Sequence, residues 1–215
     1  MAKGAKKKVF ATRIYPQQGI KMLHEAGFEV NTPEDDKPLG NDELISRAKD
    51  CDALLCTLTD QINSEFLDSC KNLKIVSQFA VGFDNIDISQ CTKLGIPVGY
   101  TPGVLTDATA DIAFGLMIAV ARKMHYLSNS ITKGEWKYFT PNANLGQSLK
   151  NKRVGIFGFG RIGQAMARRC KGAFDMDVIY TSRNRKISAE KELDATMVGF
   201  EKLLQKSISS QSIQH

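Results

Sequence analysis

The glycines of Gly158-Phe159-Gly160-Arg161-Ile162-Gly163 carry the clearest chemical meaning in this sequence. They follow the apolar run VGIF, precede the helical pattern QAMARRCKGAF, and are followed by a second apolar run, MDVIYT. A G-x-G-x-x-G string alone is a weak signal, but between a strand and a helix in a βαβ unit it is a strong one. Gly158 permits the sharp turn, Gly160 lets a pyrophosphate reach the backbone, and Gly163 lets the helix close on the strand. The free amides at the helix start then receive the anion. That is the chemistry of a dinucleotide site.

Which dinucleotide is read at the end of the second run, Thr181-Ser182-Arg183-Asn184-Arg185-Lys186. A site for NAD places an acid about 20 residues on, to hold the ribose hydroxyls. Here the nearby acids Asp175 and Asp177 precede the strand, and a hydroxyl and a guanidinium stand where a 2′-phosphate would sit. NADP is therefore the expected cofactor, with NAD second and a solvated basic turn as the plain alternative. From Lys150 to Lys186 ten basic residues face only Asp175 and Asp177, a balance suited to a phosphate-rich small ligand.

The other reactive side chains form no such constellation. His24 falls on an amphipathic stretch, His125 near the end of the apolar part of a long helical stretch, and His215 is the terminal residue, none with an acid at useful spacing. Cysteines 51, 56, 70, 91 and 170 contain no CxxC pair and suggest neither zinc nor a disulfide framework. No metal site and no catalytic acid or base is assigned.

The elements that must position these residues are legible as alternating β and α patterns. The stretches VFATRI, PQQGIKMLHEAG, FEV, NDELISRAKD, DALLCTL, SEFLDSC, LKIVSQF, ISQCTKLG and IPVGYT read as β-α repeated about five times. Pro16 suits a first helical turn, Gly27 a C′ position, and Asn41 a helix cap. DALLCTL and LKIVSQF are continuously apolar, as expected for central strands of a parallel sheet covered on both faces. A long helix is expected over 106–133, apolar enough around Ile112–Val120 to need burial between layers, domains or subunits. Residues 138–152 read as a loop, and a boundary falls near Pro102. The fold class is α/β: a flavodoxin-like doubly wound domain (9–103), then a partial Rossmann domain (104–207), flanked by a basic arm (1–8) and a patternless tail (208–215).

Composition narrows the setting. The 215 residues are 42% hydrophobic and 24% charged, ordinary for a folded chain. Lys3, Lys6, Lys7 and Lys8 supply four of the six net positive charges, so no basic stripe with interleaved aromatics points to nucleic acid. The N-terminus lacks a signal-peptide apolar core, and Ile112–Ala121 is far shorter than the roughly 20 residues needed to cross a bilayer. A cytoplasmic protein with no membrane or nucleic-acid partner is expected.

Three stretches, AVGFDNID (80–87), YTPGVLTDATADIAFGLMIAVAR (100–122) and VGIFGFGRIGQAMARR (154–169), resemble the D-isomer-specific 2-hydroxyacid dehydrogenases, particularly the glyoxylate and hydroxypyruvate reductases. The resemblance runs over about residues 9–207 and implies an oxidoreductase with a substrate domain, a Rossmann domain and dimer contacts through the helix at 106–133. It implies that the amides of Val81 and Gly82 bind the carboxylate of a small 2-oxo or 2-hydroxy acid and that Leu58 lines the pocket. It implies that Thr106 faces the cofactor phosphates, that Phe159, Gly160, Arg161 and Ile162 surround the pyrophosphate, and that Ser182, Arg183 and Asn184 hold the adenosine ribose and its phosphate. A glycine leaving a parallel strand can present bare N–H groups to an anion, although a plain turn glycine looks the same at Gly82. Phe159 stands where the family more often has a smaller aliphatic residue.

The family's catalytic Arg, Glu and His belong to a segment that would follow Ser207, where this sequence continues as ISSQSIQH without resemblance. The chain is thus expected to be a truncated form, inactive alone. Its cofactor sheet would keep strands at 153–157 and 177–181, with FEKLLQKS as the helix before a third strand, and would leave apolar surface and a strand edge open. A non-catalytic dinucleotide-binding or protein-interaction module is the alternative, and a subunit completed by another chain is a third reading.

Overall fold

Each short apolar run of the first half becomes a strand in the computed structural model, which describes residues 6–207. The elements are β1 (Lys8–Ala11), α1 (Gln17–Glu25), β2 (Glu29–Asn31), α2 (Asn41–Ala48), β3 (Ala53–Cys56), α3 (Ser64–Ser69), β4 (Ile75–Gln78), α4 (Ile88–Leu94) and β5 (Val98–Gly99). All strand pairings are parallel, and the order is β2-β1-β3-β4-β5. This is the flavodoxin-like doubly wound order, in which ligand sites lie beyond the carboxyl ends of the strands. Phe10, Leu54, Cys56 and Val76 from the sheet pack with Leu44, Phe66, Leu67 and Cys91 from α2, α3 and α4. The two runs read as central strands do have neighbours on both sides, but only alternate residues are fully buried: Leu54 and Cys56 on β3, Val76 and Gln78 on β4.

Local chemistry sets the helix ends. Asn63 Oδ1 accepts from the Phe66 amide at 2.9 Å to open α3, and Asp87 does the same for Gln90 to open α4. Gly27 and Gly95 adopt the left-handed conformation just after α1 and α4. Two expected caps differ. Pro16 is the N-cap of α1 rather than its first turn, and Gly40, not Asn41, caps α2. The Asn41 side chain instead donates to Glu65 at 3.1 Å, a tertiary partner that no local pattern reveals.

The second compact unit begins at Leu105, directly after Val104 closes the first. It contains α5 (Thr106–Ala121), α6 (Met124–Thr132), β6 (Arg153–Phe157), α7 (Arg161–Phe174), β7 (Asp177–Thr181), α8 (Ile187–Leu193), β8 (Ala195–Met197) and α9 (Phe200–Lys206). Strands β6, β7 and β8 form a parallel sheet in that order, one half of a Rossmann arrangement. The core joins Val154, Ile156, Val178 and Tyr180 to Ala167 and Cys170 of α7 and Leu193 of α8.

Two expectations for this half need correction. The single helix over 106–133 is two helices, broken where Lys123 takes a left-handed conformation. There the loop returns across the end of α5: the Gln147 amide donates to the Ala121 carbonyl at 2.7 Å, and a Cβ on Gly146 would collide with that carbonyl. Burial of α5 is one-sided, because Phe114, Met117, Ile118 and Ala121 pack inward while Ile112, Leu116 and Val120 are exposed. Finally, a third strand, β8, precedes α9, so FEKLLQKS follows that strand instead of leading into it. Among the described residues β6 pairs only with β7, and Phe157 at its end is 77% exposed.

Lys7 and Lys8, assigned to the basic arm, already belong to the fold, since Lys8 opens β1 and Lys7 Nζ donates to Asp52 at 2.8 Å. Residues 1–5 of the expected arm and the tail 208–215, with His215, lie outside the described residues.

Candidate functional site

Two groups of residues gather beyond the carboxyl ends of the strands, one in each unit. In the second unit β6 ends at Phe157, and Gly158 turns the chain with φ of +89°. The Gly158 amide is held by the Thr181 carbonyl at 2.9 Å, which ties the turn to the end of β7. A Cβ on Gly163 would run into the Gly158 carbonyl oxygen, whereas beside Gly160 the space is open. Among the described residues no side chain caps α7 at Gly160, which leaves its first amides open to an anion. A glycine turn with an open flank and an uncapped helix start fits a pyrophosphate.

A pocket of about 640 Å³ joins this turn to the end of β7, lined by Gly158, Phe159, Gly160, Ser182, Arg183 and Asn184 among others. The structure thus brings together six of the residues expected to hold a dinucleotide. Arg161, Ile162 and Gly163 follow immediately in the first turn of α7. Phe159 contributes backbone only: its ring is fully buried and stacked on Tyr180, with centroids 4.0 Å apart. Thr106 is not among the pocket-lining residues, and lies half-buried in the first turn of α5, which packs along α7 through Arg169 bonds to Asp107 and Asp111.

The turn after β7 sorts its cations. Ser182 Oγ donates to the Asn184 carbonyl at 2.6 Å and shapes the bend. Arg183 is exposed at the pocket, and among the described residues no carboxylate engages it. Arg185 is spent on Glu190, with Nε at 2.9 Å and Nη2 at 2.8 Å from Oε2. Lys186 also lines the pocket, a residue that sequence reasoning left out. Its amide donates at 2.9 Å to the Tyr180 hydroxyl, which in turn donates to Glu190 at 2.7 Å. Arg185 first and Tyr180 second hold the Glu190 carboxyl below the usual carboxylate range.

In the first unit the loops after β3 and β4 rest on a buried polar network. Asp60, fully buried, accepts from Thr12 Oγ1 at 2.5 Å and from the Thr57 amide at 2.8 Å, and pairs with Arg13 at 2.9 Å. Gln78, at the end of β4, donates to the Gly82 carbonyl at 3.1 Å and to Asn85 Oδ1 at 2.7 Å. Asn85 Nδ2 donates in turn to the carbonyls of Thr57 and Asp60. The two loops also pair directly, through the Ile62 amide to Asn85 and the Asp87 amide to Ile62. This network sets Val81 and Gly82, and it brings Leu58 beside Gly82: a Cβ there would sit 3.6 Å from Leu58 Cδ2.

Neither described histidine enters either group. His24 is exposed on α1 near the Phe28 carbonyl, and His125 is exposed on α6 beside Asn129. All five cysteines are buried and free, and burial pushes the Cys56 thiol up to about 12. Among the described residues no cluster of His, Cys, Asp or Glu could hold a metal, and no helix is long and apolar enough to cross a membrane.

The fold and the glycine turn define an α/β protein whose second unit is a partial Rossmann sheet. Comparison with known proteins gives the family: the model for "D-isomer specific 2-hydroxyacid dehydrogenase, catalytic domain" matches residues 9–199, and the chain belongs to that family. It is 48% identical over 206 residues to a glyoxylate reductase of Thermococcus litoralis, covering 94% of this chain and 62% of that protein. A glyoxylate reductase of Pyrococcus furiosus is 46% identical, with 94% and 61% covered. The solved TT0316 protein from Thermus thermophilus superposes with a TM-score of 0.85 at 36% identity, covering 93% of this chain and 62% of that one. The chain therefore spans about three fifths of the length of the relatives it matches. The family is NAD(P)-dependent and acts on small 2-oxo or 2-hydroxy acids.

Proposed function

We propose that this chain is the substrate-binding and cofactor-docking portion of an NADPH-dependent reductase that converts glyoxylate or hydroxypyruvate to the 2-hydroxy acid. The observation that carries the reading is the pocket joining Gly158 and Gly160 to Arg183 and Lys186. In it the glycine turn and the α7 start hold the pyrophosphate, with Arg161, Ile162 and Gly163 supplying amides. Ser182, Arg183 and Asn184 hold the ribose and its 2′-phosphate, where a guanidinium favours NADP over NAD. Thr106, in the first turn of α5 and outside the pocket lining, is proposed as a further contact to the cofactor phosphates. Residues 9–103 form the substrate domain, where the Val81 and Gly82 amides take the substrate carboxylate and Leu58 covers it.

Reduced dinucleotide supplies the hydride when bound. Reduction of a 2-oxo group also needs a proton donor and a cation at the carbonyl. Neither His24 nor His125 stands at either site, so the residues of the two groups bind and orient without turning substrate over alone. The stripe of Ile112, Leu116 and Val120 supports pairing of two copies through the 106–133 region, in a cytoplasmic protein. The test is fluorescence titration with NADPH and NADH beside an absorbance assay of NADPH oxidation with glyoxylate. NADPH bound more tightly than NADH, without turnover, is the expected result. Turnover would reveal an acid in this chain, and absence of nucleotide binding would overturn the reading.

A further inference from the structure

The turn after β7 places four polar or charged residues at the pocket, Ser182, Arg183, Asn184 and Lys186, and skips one cation between them. That cation, Arg185, is held by both oxygens of Glu190, at 3.0 and 2.9 Å from Nε. The Glu190 side chain is only 10% exposed, so the pair is sheltered from screening on the acid's side. The same carboxylate accepts from Tyr180, whose hydroxyl accepts the Lys186 amide, so one acid fixes both ends of the segment 185–186. Glu190 is also the first acid after β7, and its carboxylate is engaged by Arg185.

We propose that Glu190 is a positioning residue for cofactor choice: it withdraws Arg185 from the pocket and fixes the turn, leaving Arg183 and Lys186 as the cations that read a 2′-phosphate. This rests on the dinucleotide reading above. The set of cations is thereby defined by an ion pair within the turn, not by the basic content of the segment. Arg183, Arg185 and Lys186 are three cations within four residues, yet they divide into two that line the pocket and one that does not.

The test compares dissociation constants for NADPH and NADH, at fixed ionic strength, on the whole chain and four variants. Arg183→Ala lowers the NADPH-to-NADH preference about tenfold, as expected for one lost charged hydrogen bond to phosphate. Arg185→Ala leaves the preference within about twofold, since its charge is already committed. Glu190→Gln keeps the shape and frees Arg185, raising the preference about threefold, the effect of one added surface charge near the phosphate. Glu190→Gln with Arg185→Ala returns the preference to that of the unaltered chain. NADH binding retained in every variant shows that the glycine turn is folded. The inference is overturned if Arg185→Ala costs as much as Arg183→Ala, if Glu190→Gln leaves the preference unchanged, or if Glu190→Gln loses both nucleotides alike. If the unaltered chain binds neither nucleotide, the dinucleotide reading fails and takes the inference with it.

Discussion

The loop after β4 and the loop after β6 leave equivalent ends of parallel strands, yet they are held by different means. After β6 the backbone holds itself: Gly158 supplies a left-handed turn, its amide binds Thr181, and Gly163 lets α7 rest on the Gly158 carbonyl. After β4 the loop is held from below by side chains, Gln78 and Asn85 bridging to the 57–60 loop and to buried Asp60. A backbone device leaves a spacing of glycines in the sequence. A side-chain network leaves only scattered polar residues, because its partners come from separate strands.

The comparison breaks most visibly at Arg13. Arg13→Met leaves the fully buried Asp60 carboxylate without its cation, a loss of about 3–5 kcal/mol in urea unfolding. A loss below about 1 kcal/mol would mean that the network is not what holds the 57–60 loop. Next come the two glycines. Gly163→Ala forces α7 off the Gly158 turn, at about 1–3 kcal/mol and with loss of NADPH binding, because the atom it meets is backbone and cannot rotate away. Gly82→Ala meets only ordinary contact with Leu58 Cδ2 at 3.6 Å, and its φ is not left-handed, so stability changes by less than about 0.5 kcal/mol. Equal costs at the two positions would erase the distinction between a backbone-held and a side-chain-held loop.

The same distinction explains what was legible. Strand and helix positions in the first unit follow from short apolar runs and turn residues, and the G-x-G-x-x-G turn follows from backbone requirements that only glycine meets. The break at Lys123 was hidden because its cause, the chain crossing at Gly146 and Gln147, lies more than twenty residues away. Strand β8 was hidden because three residues, Ala195–Met197, are too few for a period to show. Lys186 and Glu190 required the tertiary placement of Tyr180. Gln78, inside the run LKIVSQF, did carry a signal, as an amide in a strand pattern that burial would oblige to find partners; Asn85, between Asp84 and Ile86, did not.

Thiol labelling sharpens the comparison between the units themselves. Burial raises Cys70 and Cys170 to about 11 and Cys56 to about 12, so at pH 8 each is a protonated, covered thiol and reacts only through opening. Cys170 reports on the second unit, whose three-stranded sheet has β6 paired on one side among the described residues, and Cys56 on the centre of a five-stranded sheet. Cys170 is expected to label faster, by mass spectrometry of quenched samples. Faster labelling of Cys56 would place the weaker packing in the first unit.

The smallest expected effect is on acid stability, and its sign is fixed by the ion pairs. Glu190 is lowered by Arg185 and Tyr180, Glu192 by Arg168, and Asp52 by Lys7. Each carboxyl has a lower pKa folded than unfolded, so each stabilises fully above the unfolded value of about 4 and loses its contribution as pH falls through the folded one. Two of these groups belong to α8 of the second unit, and Asp52, just before β3, belongs to the first. Because all three are in contact with solvent, the shift in urea midpoint between pH 7 and pH 3 from any one of them is small. Glu190→Gln should flatten that dependence while Arg47→Ala, at an exposed pair on α2, should not. If the two variants titrate alike, Glu190 behaves as a surface charge, and the burial of its side chain has no energetic consequence.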